Sequence, residues 1–374
     1  MLRISAAIFL TVLCALRPAS GCSVPEYQLG GDAPPETIEQ LLFAGHFRRA
    51  LAAIASVKSP DETPAARARH EYLLSKAELG LGQLDAAMES AEKALAIDPQ
   101  NADYHLQAAA VAGRTAERAP LLKQLGLAKR AKRELDAAVA LDPNSADALY
   151  GIVLYLWNAP SFMGGDKAKA QTYAERLTSL DAARGYVVQA TLAHDRKDST
   201  GEQAFLEKAV AANPKSYDAL MAIARFESAR YPERADEEDR YACEALFVDP
   251  ARGEAWQLVT EMAAARECWR ELDALLKVAR KFVPDDLSPA YTAAVEMIKS
   301  GSNLERASDL LHLYLASPQE GETPTAGQAR YELALALEKR GLRDEAVIML
   351  ELAIAEDPGL GDAKRELKRM ERAP

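Results

Sequence analysis

Seven prolines stop seven stretches of helix-forming sequence, and their spacing constrains the fold more than any other feature of this 374-residue chain. They are Pro99, Pro143, Pro214, Pro250, Pro284, Pro318 and Pro358. From Pro214 onward they recur at intervals of 36, 34, 34 and 40 residues. A fixed period in this range is typical of a solenoid, in which each short unit buries its apolar face against the next.

Small residues precede the prolines at a constant distance. Alanine stands five residues before six of the seven, and Leu313 takes that place before Pro318. Upstream of each proline-stopped helix lies a second amphipathic segment, and the turn between the two often contains a glycine, such as Gly82, Gly301 or Gly341. Glycine there predicts a left-handed helix cap. The pattern therefore predicts an all-α chain of helix, tight turn, helix and proline stop.

At these positions the chain resembles the tetratricopeptide repeat family. The units that carry the resemblance best run from Tyr72 to Pro99, from Trp256 to Pro284 and from Tyr331 to Pro358. The resemblance implies a right-handed α-solenoid of about eight or nine units over residues 35–358, followed by a C-terminal capping helix in residues 359–374. Such units contact mainly their immediate neighbours, and the first helix of each unit lines a concave groove.

Three segments depart from the regular pattern. About ten extra residues follow Pro99, and we place them around residues 119–122. Ala182 stands where the next proline is expected. Residues 157–167 form a long intra-unit turn, in which Phe162 and Met163 could offer an apolar docking tip; the simpler interpretation is a structured loop, with glycines at positive φ and Asp166 capping the next helix.

The first residues predict export. A short basic start and an apolar run from Ile4 to Leu16 fit a signal peptide at residues 1–21, because the run is too short to span a bilayer. The tetrapeptide that ends in Cys22 resembles the bacterial lipoprotein box, which implies a lipid on Cys22 and a flexible linker at residues 22–34. Simple secretion remains the alternative. We expect a periplasmic protein or a membrane-anchored lipoprotein, with the membrane reached only through Cys22.

Composition argues against several functions. The net charge of −11 disfavours nucleic-acid binding, which needs clustered Lys and Arg. The pattern contains no HExxH, GxSxG or phosphate-loop motif, so we expect no enzyme, metal or cofactor. In the folded region only Cys243 and Cys268 remain, and we expect buried thiols without a disulfide, since one falls within a helix and the other at a turn.

By resemblance to the family, a row of first-helix side chains faces the concave surface. The row consists of Tyr72, Leu106, Tyr150, Gln189, Met221, Gln257, Tyr291 and Tyr331, with Lys76 and Arg225 four residues beyond two of them. Tyrosine combines rigid contact area with a hydroxyl, which suits recognition of an extended peptide. The alternative is that several tyrosines pack between helices.

Two functions from different classes follow. The first is a non-catalytic scaffold of the bacterial cell envelope that binds a partner protein or extended peptide in this groove. The second is a periplasmic accessory component of a small-molecule transporter that binds an apolar solute. The sequence leaves the oligomeric state open.

Overall fold

The computed structural model describes residues 37–57, 63–230, 235–321 and 324–372. The predicted signal peptide, linker and lipidation site Cys22 lie outside these ranges. Within them the chain is a right-handed α-solenoid of nine antiparallel helix pairs and one terminal helix. Of the described helices, none is both long and apolar enough to cross a membrane.

The helix pairs follow one another in chain order. Pairs one to five are Ile38–Ala44 and Phe47–Ser56 (α1, α2), Pro64–Gly80 and Leu84–Ile97 (α3, α4), Ala102–Arg118 and Leu121–Leu141 (α5, α6), Ala146–Asn158 and Lys167–Leu180 (α7, α8), and Ala182–Asp195 and Ser199–Ala212 (α9, α10). Pairs six to nine are Tyr217–Arg230 and Ala235–Val248 (α11, α12), Gly253–Ala265 and Trp269–Phe282 (α13, α14), Ser288–Ser300 and Leu304–Leu315 (α15, α16), and Ala326–Lys339 and Arg343–Glu356 (α17, α18). The last helix, Gly361–Arg372 (α19), packs on α18.

The proline-stopped helices end in one recurring arrangement. At the first stop, the N–H of Asp98 donates to the carbonyl of Ala94 at 3.0 Å, and the Asp98 carboxylate accepts the N–H of Gln100 at 3.2 Å. The same pair of bonds recurs at Asp142, Asn213, Asp249 and Asp357. The side chain bonds the backbone two residues further on and so turns it. The proline between these two residues has no N–H to continue the helix, so the helix stops. This explains why an acidic or amide residue precedes most of the prolines.

Glycine turns within units adopt the predicted conformation, and two turns adopt it without a glycine. Gly82, Gly301 and Gly341 have φ of +71°, +74° and +81°, which confirms the left-handed caps. In the fifth and seventh units the same conformation is held by Lys197 at φ +60° and Glu267 at φ +56°. A side chain in this region is strained by its Cβ, so these two turns carry a strain that the glycine turns avoid.

The irregular units are built without inserted domains. The extra residues after Pro99 lengthen the helices themselves, to 17 residues in α5 and 21 in α6, on either side of the turn at residues 119–120. Where the proline is missing, Asp181 ends α8 and also caps α9 by accepting the N–H of Arg184 at 3.1 Å. Gly185 then fits because a Cβ would come within 2.3 Å of the Thr178 backbone.

The long turn before α8 is a structured loop. Asp166 caps α8 by accepting the N–H groups of Ala168 and Lys169, each at 3.0 Å, as predicted. Gly164 has φ +89°, whereas Gly165 is needed for space, since a Cβ there would lie 1.7 Å from a neighbouring carbonyl oxygen. Phe162 remains exposed at the tip.

Both cysteines of the folded region are buried. Cys243 lies within α12 and Cys268 immediately precedes α14, at the positions expected from sequence. Cys243 is a thiol, as predicted, and the two residues are not joined to each other. The Sγ of Cys268 lies 3.7 Å from the Arg266 carbonyl oxygen.

The units contact mainly their neighbours, as expected, but the first unit also contacts loops of the later ones. The N–H of Arg48, in α2, donates to the Glu320 carboxylate at 2.6 Å, although 272 residues separate them. Each unit is rotated slightly from the last, so a long array coils into a superhelix. Nine units bring the α1–α2 hairpin beside the loops of the later units.

Candidate functional site

A hollow of about 670 Å³ lies along the first helices of units two to four. We call it the groove cavity, and it lies between α3, α5 and α7. Its wall includes Phe43, Tyr72, Lys76, Leu106, Gly113, Arg114, Tyr150, Tyr155 and Arg184. Four of the sequence-predicted groove residues, Tyr72, Lys76, Leu106 and Tyr150, therefore line one space.

The space exists because α5 is rich in small residues on this side. Ala109, Ala110 and Gly113 line the cavity, and a Cβ built on Gly113 meets nothing within 4 Å. A larger residue at these positions would occupy the hollow. This run of small side chains is the sequence signal that could have located the cavity.

The tyrosines are held in fixed orientations. The ring of Tyr72 lies 5.2 Å from the ring of Tyr104, and the Lys76 Nζ lies 5.4 Å above Tyr72. The Arg184 guanidinium lies 5.2 Å from the ring of Tyr150, which is 38 % exposed. Burial raises the pKa of Tyr72 to about 12, so its hydroxyl stays a neutral donor and acceptor at physiological pH.

The charges of the cavity are largely paired. Arg184 forms an ion pair with Asp147 at 2.5 Å, and Arg114 pairs with Glu117 at 2.6 Å. Lys76 is the remaining cation of the wall and Asp103 the remaining carboxylate. The cavity thus offers aromatic and aliphatic surface ringed by balanced charges, a lining suited to an amphipathic chain segment.

The other six predicted residues occupy different surroundings. Gln189 is 7 % exposed and accepts the amide N–H of Gln171 at 3.0 Å. Met221 is 2 % exposed and belongs to the hydrophobic core. Arg225 is exposed, pairs with Glu254 at 3.5 Å and lines a second hollow of about 870 Å³ between α9, α10 and α11.

Gln257, Tyr291 and Tyr331 are half-buried on α13, α15 and α17. The ring of Tyr291 lies 5.3 Å from that of Tyr314, whose hydroxyl donates to the Pro324 carbonyl at 2.6 Å. Burial raises the pKa of Tyr291 and of Tyr331. The structure brings four of the predicted residues into one cavity and distributes the rest along the later units.

Sequence reasoning did not identify Phe43, Arg114 or Arg184 as part of this site. The predicted row takes one fixed position from the first helix of each unit, and Arg114 and Arg184 lie at other positions. Phe43 comes from α1 and also lies 5.2 Å from the guanidinium of Arg252, which precedes α13. Its place depends on the coiling of the whole array.

Comparison with known proteins points to the fold and to one segment. The family model described as "Regulator of microtubule dynamics protein 1-3" matches residues 66–158, from α3 to the end of α7, the segment that carries most of the groove cavity. No curated protein sequence matches the chain.

Solved structures with this fold are diverged in sequence. A monomeric mutant of IFIT1 with m7Gppp-AAAA is 16% identical, with 90% of this chain and 79% of that chain covered and a TM-score of 0.50. Yeast Tom70 is 14% identical, with coverages of 89% and 86% and a TM-score of 0.49. TTC0263, a thermophilic TPR protein of Thermus thermophilus, is 20% identical, with coverages of 51% and 94% and a TM-score of 0.44. The structural neighbours include TPR proteins, and this chain is an all-helical repeat array of that type.

Proposed function

We propose that the chain is a non-catalytic scaffold that holds an extended, amphipathic segment of a partner protein in the groove cavity. The observation that carries this proposal is the convergence of Tyr72, Tyr150, Leu106 and Lys76 on one open space of about 670 Å³. Rigid aromatic side chains give contact area at a small entropic loss, and the surrounding polar groups fix the register of a bound chain.

The paired charges favour a polypeptide over a nucleic acid. IFIT1, which shares the fold, is described with a capped RNA. In this chain the two arginines of the groove cavity already bind carboxylates, so little positive field remains for phosphates. We therefore propose a protein or peptide ligand and no nucleic acid.

A matched pair of glycine substitutions tests the site. Gly113→Leu fills the groove cavity, whereas Gly126→Leu places the same side chain on α6 outside it; neither added Cβ meets an atom within 4 Å. Both changes replace a helical glycine and should preserve or raise stability. Peptides selected from a random display library on the native chain should bind Gly113→Leu at least tenfold more weakly and Gly126→Leu unchanged, by fluorescence anisotropy.

The selection has outcomes that would contradict the proposal. Selected peptides that bind both variants equally would remove the groove assignment. An oligoribonucleotide that binds the native chain and is lost in Gly113→Leu would assign the cavity to RNA. An apolar solute that co-purifies and is detected by native mass spectrometry would instead favour the transporter-accessory function.

We also propose that the chain is exported and anchored in a bacterial envelope through a lipid on Cys22. The apolar run and the tetrapeptide ending in Cys22 support this proposal. Metabolic palmitate labelling of the native chain and of Cys22→Ser tests it. Label retained by Cys22→Ser would exclude the anchor.

A further inference from the structure

Three loops of the later units meet the first helix pair. The loops follow Pro250, Pro284 and Pro318, and each contributes contacts from the one or two residues after its proline. Those residues are Arg252, Asp285, Gln319 and Glu320. They contact α1, α2 and the short link between them, so one superhelical turn is closed by a set of polar contacts.

The centre of the contact is a buried histidine. His46, in the link between α1 and α2, is 1 % exposed, and its Nδ1 lies 3.0 Å from the Asp285 Oδ1. The Arg49 guanidinium lies 3.8 Å from the same oxygen. Arg48 donates its backbone N–H to Glu320 at 2.6 Å and its Nε–H to the Gln319 carbonyl at 2.8 Å. We name His46, Arg48, Asp285 and Glu320 the clamp.

The clamp is separable from the hydrophobic packing of the hairpin. The cluster that holds the hairpin consists of Leu41, Leu42, Ala50, Ile54, Leu73 and Ala77, all from α1, α2 and α3. The contact with the later units is instead made by charged and polar groups at loop tips. Opening the clamp would therefore leave the apolar core of the first units intact.

Phe43 connects the clamp to the groove cavity. It lies on α1, one turn before His46, and forms part of the cavity wall. Its ring also lies 5.2 Å from Arg252, which is held at 3.8 Å over the ring of Tyr217 and pairs with Asp218 at 2.8 Å. The wall at Phe43 is thus fixed from the far side of the superhelix.

We propose that the clamp is a proton-controlled gate, which keeps the hairpin closed over the groove cavity in mildly acidic solution and releases it as the pH rises. The gate rests on the proposed function only for its effect on peptide binding. The closure itself depends on the clamp alone.

The protonation of the clamp gives the direction. Burial alone would lower the pKa of His46, but the ion pair with Asp285 outweighs burial, so this pKa is raised. Burial raises the pKa of Glu320 to about 7, with the Asp285 charge adding to it and the Arg48 N–H opposing it. Both groups bind a proton more tightly when closed, so closure is favoured below the open-state values and weakens as the pH rises.

The remaining charges near His46 modify this behaviour. Burial alone would raise the pKa of Asp285, but the ion pair with His46 outweighs burial. The pKa of Asp285 therefore lies below its usual range. Its contribution is therefore lost only in strong acid. Burial raises the pKa of Asp286, which makes that neighbour neutral more readily in acid. Arg48 and Arg49 place two guanidinium groups on the hairpin side of this contact. Closure should be strongest in mildly acidic solution.

Fluorescence energy transfer on the full chain tests the gate. Dyes carried by non-canonical residues at Ser56 on α2 and Lys281 on α14, both exposed, report the distance across the clamp. Because Glu320 binds a proton more tightly when closed, the closed-to-open ratio should fall about tenfold between pH 6 and pH 8. Glu320→Gln should remain closed at pH 8, while Asp285→Asn should open at pH 6 because it leaves His46 without its partner.

Control variants keep the outcome decisive. Asp273→Asn changes an exposed carboxylate of α14 that pairs with Arg306, and Glu305→Gln changes an exposed one on α16; both should behave like the native chain. Circular dichroism on Asp285→Asn separates opening from unfolding. Energy transfer that is constant from pH 6 to pH 8, or a Glu320→Gln variant with the native pH profile, would overturn the gate.

The gate proposal and the groove assignment can be rejected independently of each other. Energy transfer is measured without any peptide, so a flat profile leaves the groove assignment standing. If the gate is correct and the groove also binds peptide, native-chain affinity should change with the closed fraction, and Glu320→Gln should remove most of that pH dependence. A pH-dependent closure with no effect of Gly113→Leu on any peptide would reject only the groove.

Discussion

The earlier and later halves of the array use the same helix pair but are held together differently. From Tyr217 to Met370 most of the buried apolar side chains form one large cluster, which includes the fully buried Trp256. In the earlier units they form four smaller clusters, the last of which extends to Ile223 of α11. The later half thus behaves as one continuous core, whereas the earlier half is divided and leaves an open cavity. One repeat can serve as a rigid base or as a binding surface, depending on what fills its inner positions.

Polar bonds compensate for the divided core of the earlier half. The buried Gln107 donates to Ser75 at 3.0 Å, and the indole N–H of Trp157 donates to Asp195 at 2.8 Å. His105 and Glu134 are 2.8 Å apart between α5 and α6. Such bonds depend on protonation and on exact partners, whereas the later core depends on shape and volume. Substitutions should therefore separate the two halves.

The largest expected effect is the loss of Trp256 from the later core. Its side chain is fully buried, its ring lies 6.1 Å from that of Phe282, and its indole N–H donates to the Pro250 carbonyl at 2.8 Å. Trp256→Ala should lower the free energy of unfolding by about 3–5 kcal/mol, through lost burial and an unfilled cavity. Urea unfolding followed by circular dichroism measures it. Phe162→Ala, at an exposed tip, should change it by less than about 0.5 kcal/mol.

Substitution of two tyrosines distinguishes a role in ligand binding from a role in helix packing. Tyr291 packs on Tyr314 in the later half, so Tyr291→Ala should lower the free energy of unfolding by about 2–3 kcal/mol. Tyr150 lies on the open cavity wall, so Tyr150→Ala should leave stability nearly unchanged and weaken selected peptides by about tenfold, a loss of roughly 1.4 kcal/mol of binding. The reverse assignment of the two effects would contradict the division into an open half and a filled half.

Acid should act first on the earlier half. Burial would raise the pKa of Glu134, but its bonds to His105 and Arg133 outweigh burial and hold the pKa below its ordinary value. The stabilisation is present above about pH 4.5 and is lost as the pH falls through the lowered value. Glu134→Gln should therefore cost about 1 kcal/mol at pH 7 and less at pH 3. Urea unfolding at both pH values measures the difference, and Glu207→Gln, an exposed control, should show none.

Local rules in the sequence predicted most of the fold. The prolines and the alanines five residues earlier predicted where helices end and which side is buried, because both effects act within one or two turns. Three groove residues and Lys76 could be grouped in advance because they recur at the unit period. Met221 and Gln189 fit that same period, yet their side chains are buried. Their burial depends on the size of neighbouring side chains, which the period does not predict.

The clamp could not have been predicted in the same way. His46 and Asp285 meet because small rotations accumulate over several units, and no short-range pattern in the chain records their sum. Looking back, an acidic residue stands one position after Pro284 and two positions after Pro318, whereas neither of these positions is acidic after Pro99, Pro143 or Pro214. That difference marks the loops that receive the hairpin, but only once the superhelix is known.

The smallest expected effect concerns the turns within units, where the lysine of one turn and the glycine of another can be exchanged. Lys197 holds φ +60° at the turn of the fifth unit, and Gly82 holds φ +71° at the same place in the second. Lys197→Gly should raise the free energy of unfolding by up to about 1 kcal/mol, because relief of the Cβ contact exceeds the added freedom of the unfolded chain. Gly82→Lys should lower it by a similar amount. Equal and opposite shifts in urea midpoints would show that the helix pair itself sets the turn conformation. They would also show that Lys197 is strained at this position and that the surrounding helices tolerate the strain. Two shifts of the same sign would mean that contacts of the Lys197 side chain, and not its backbone, determine that turn.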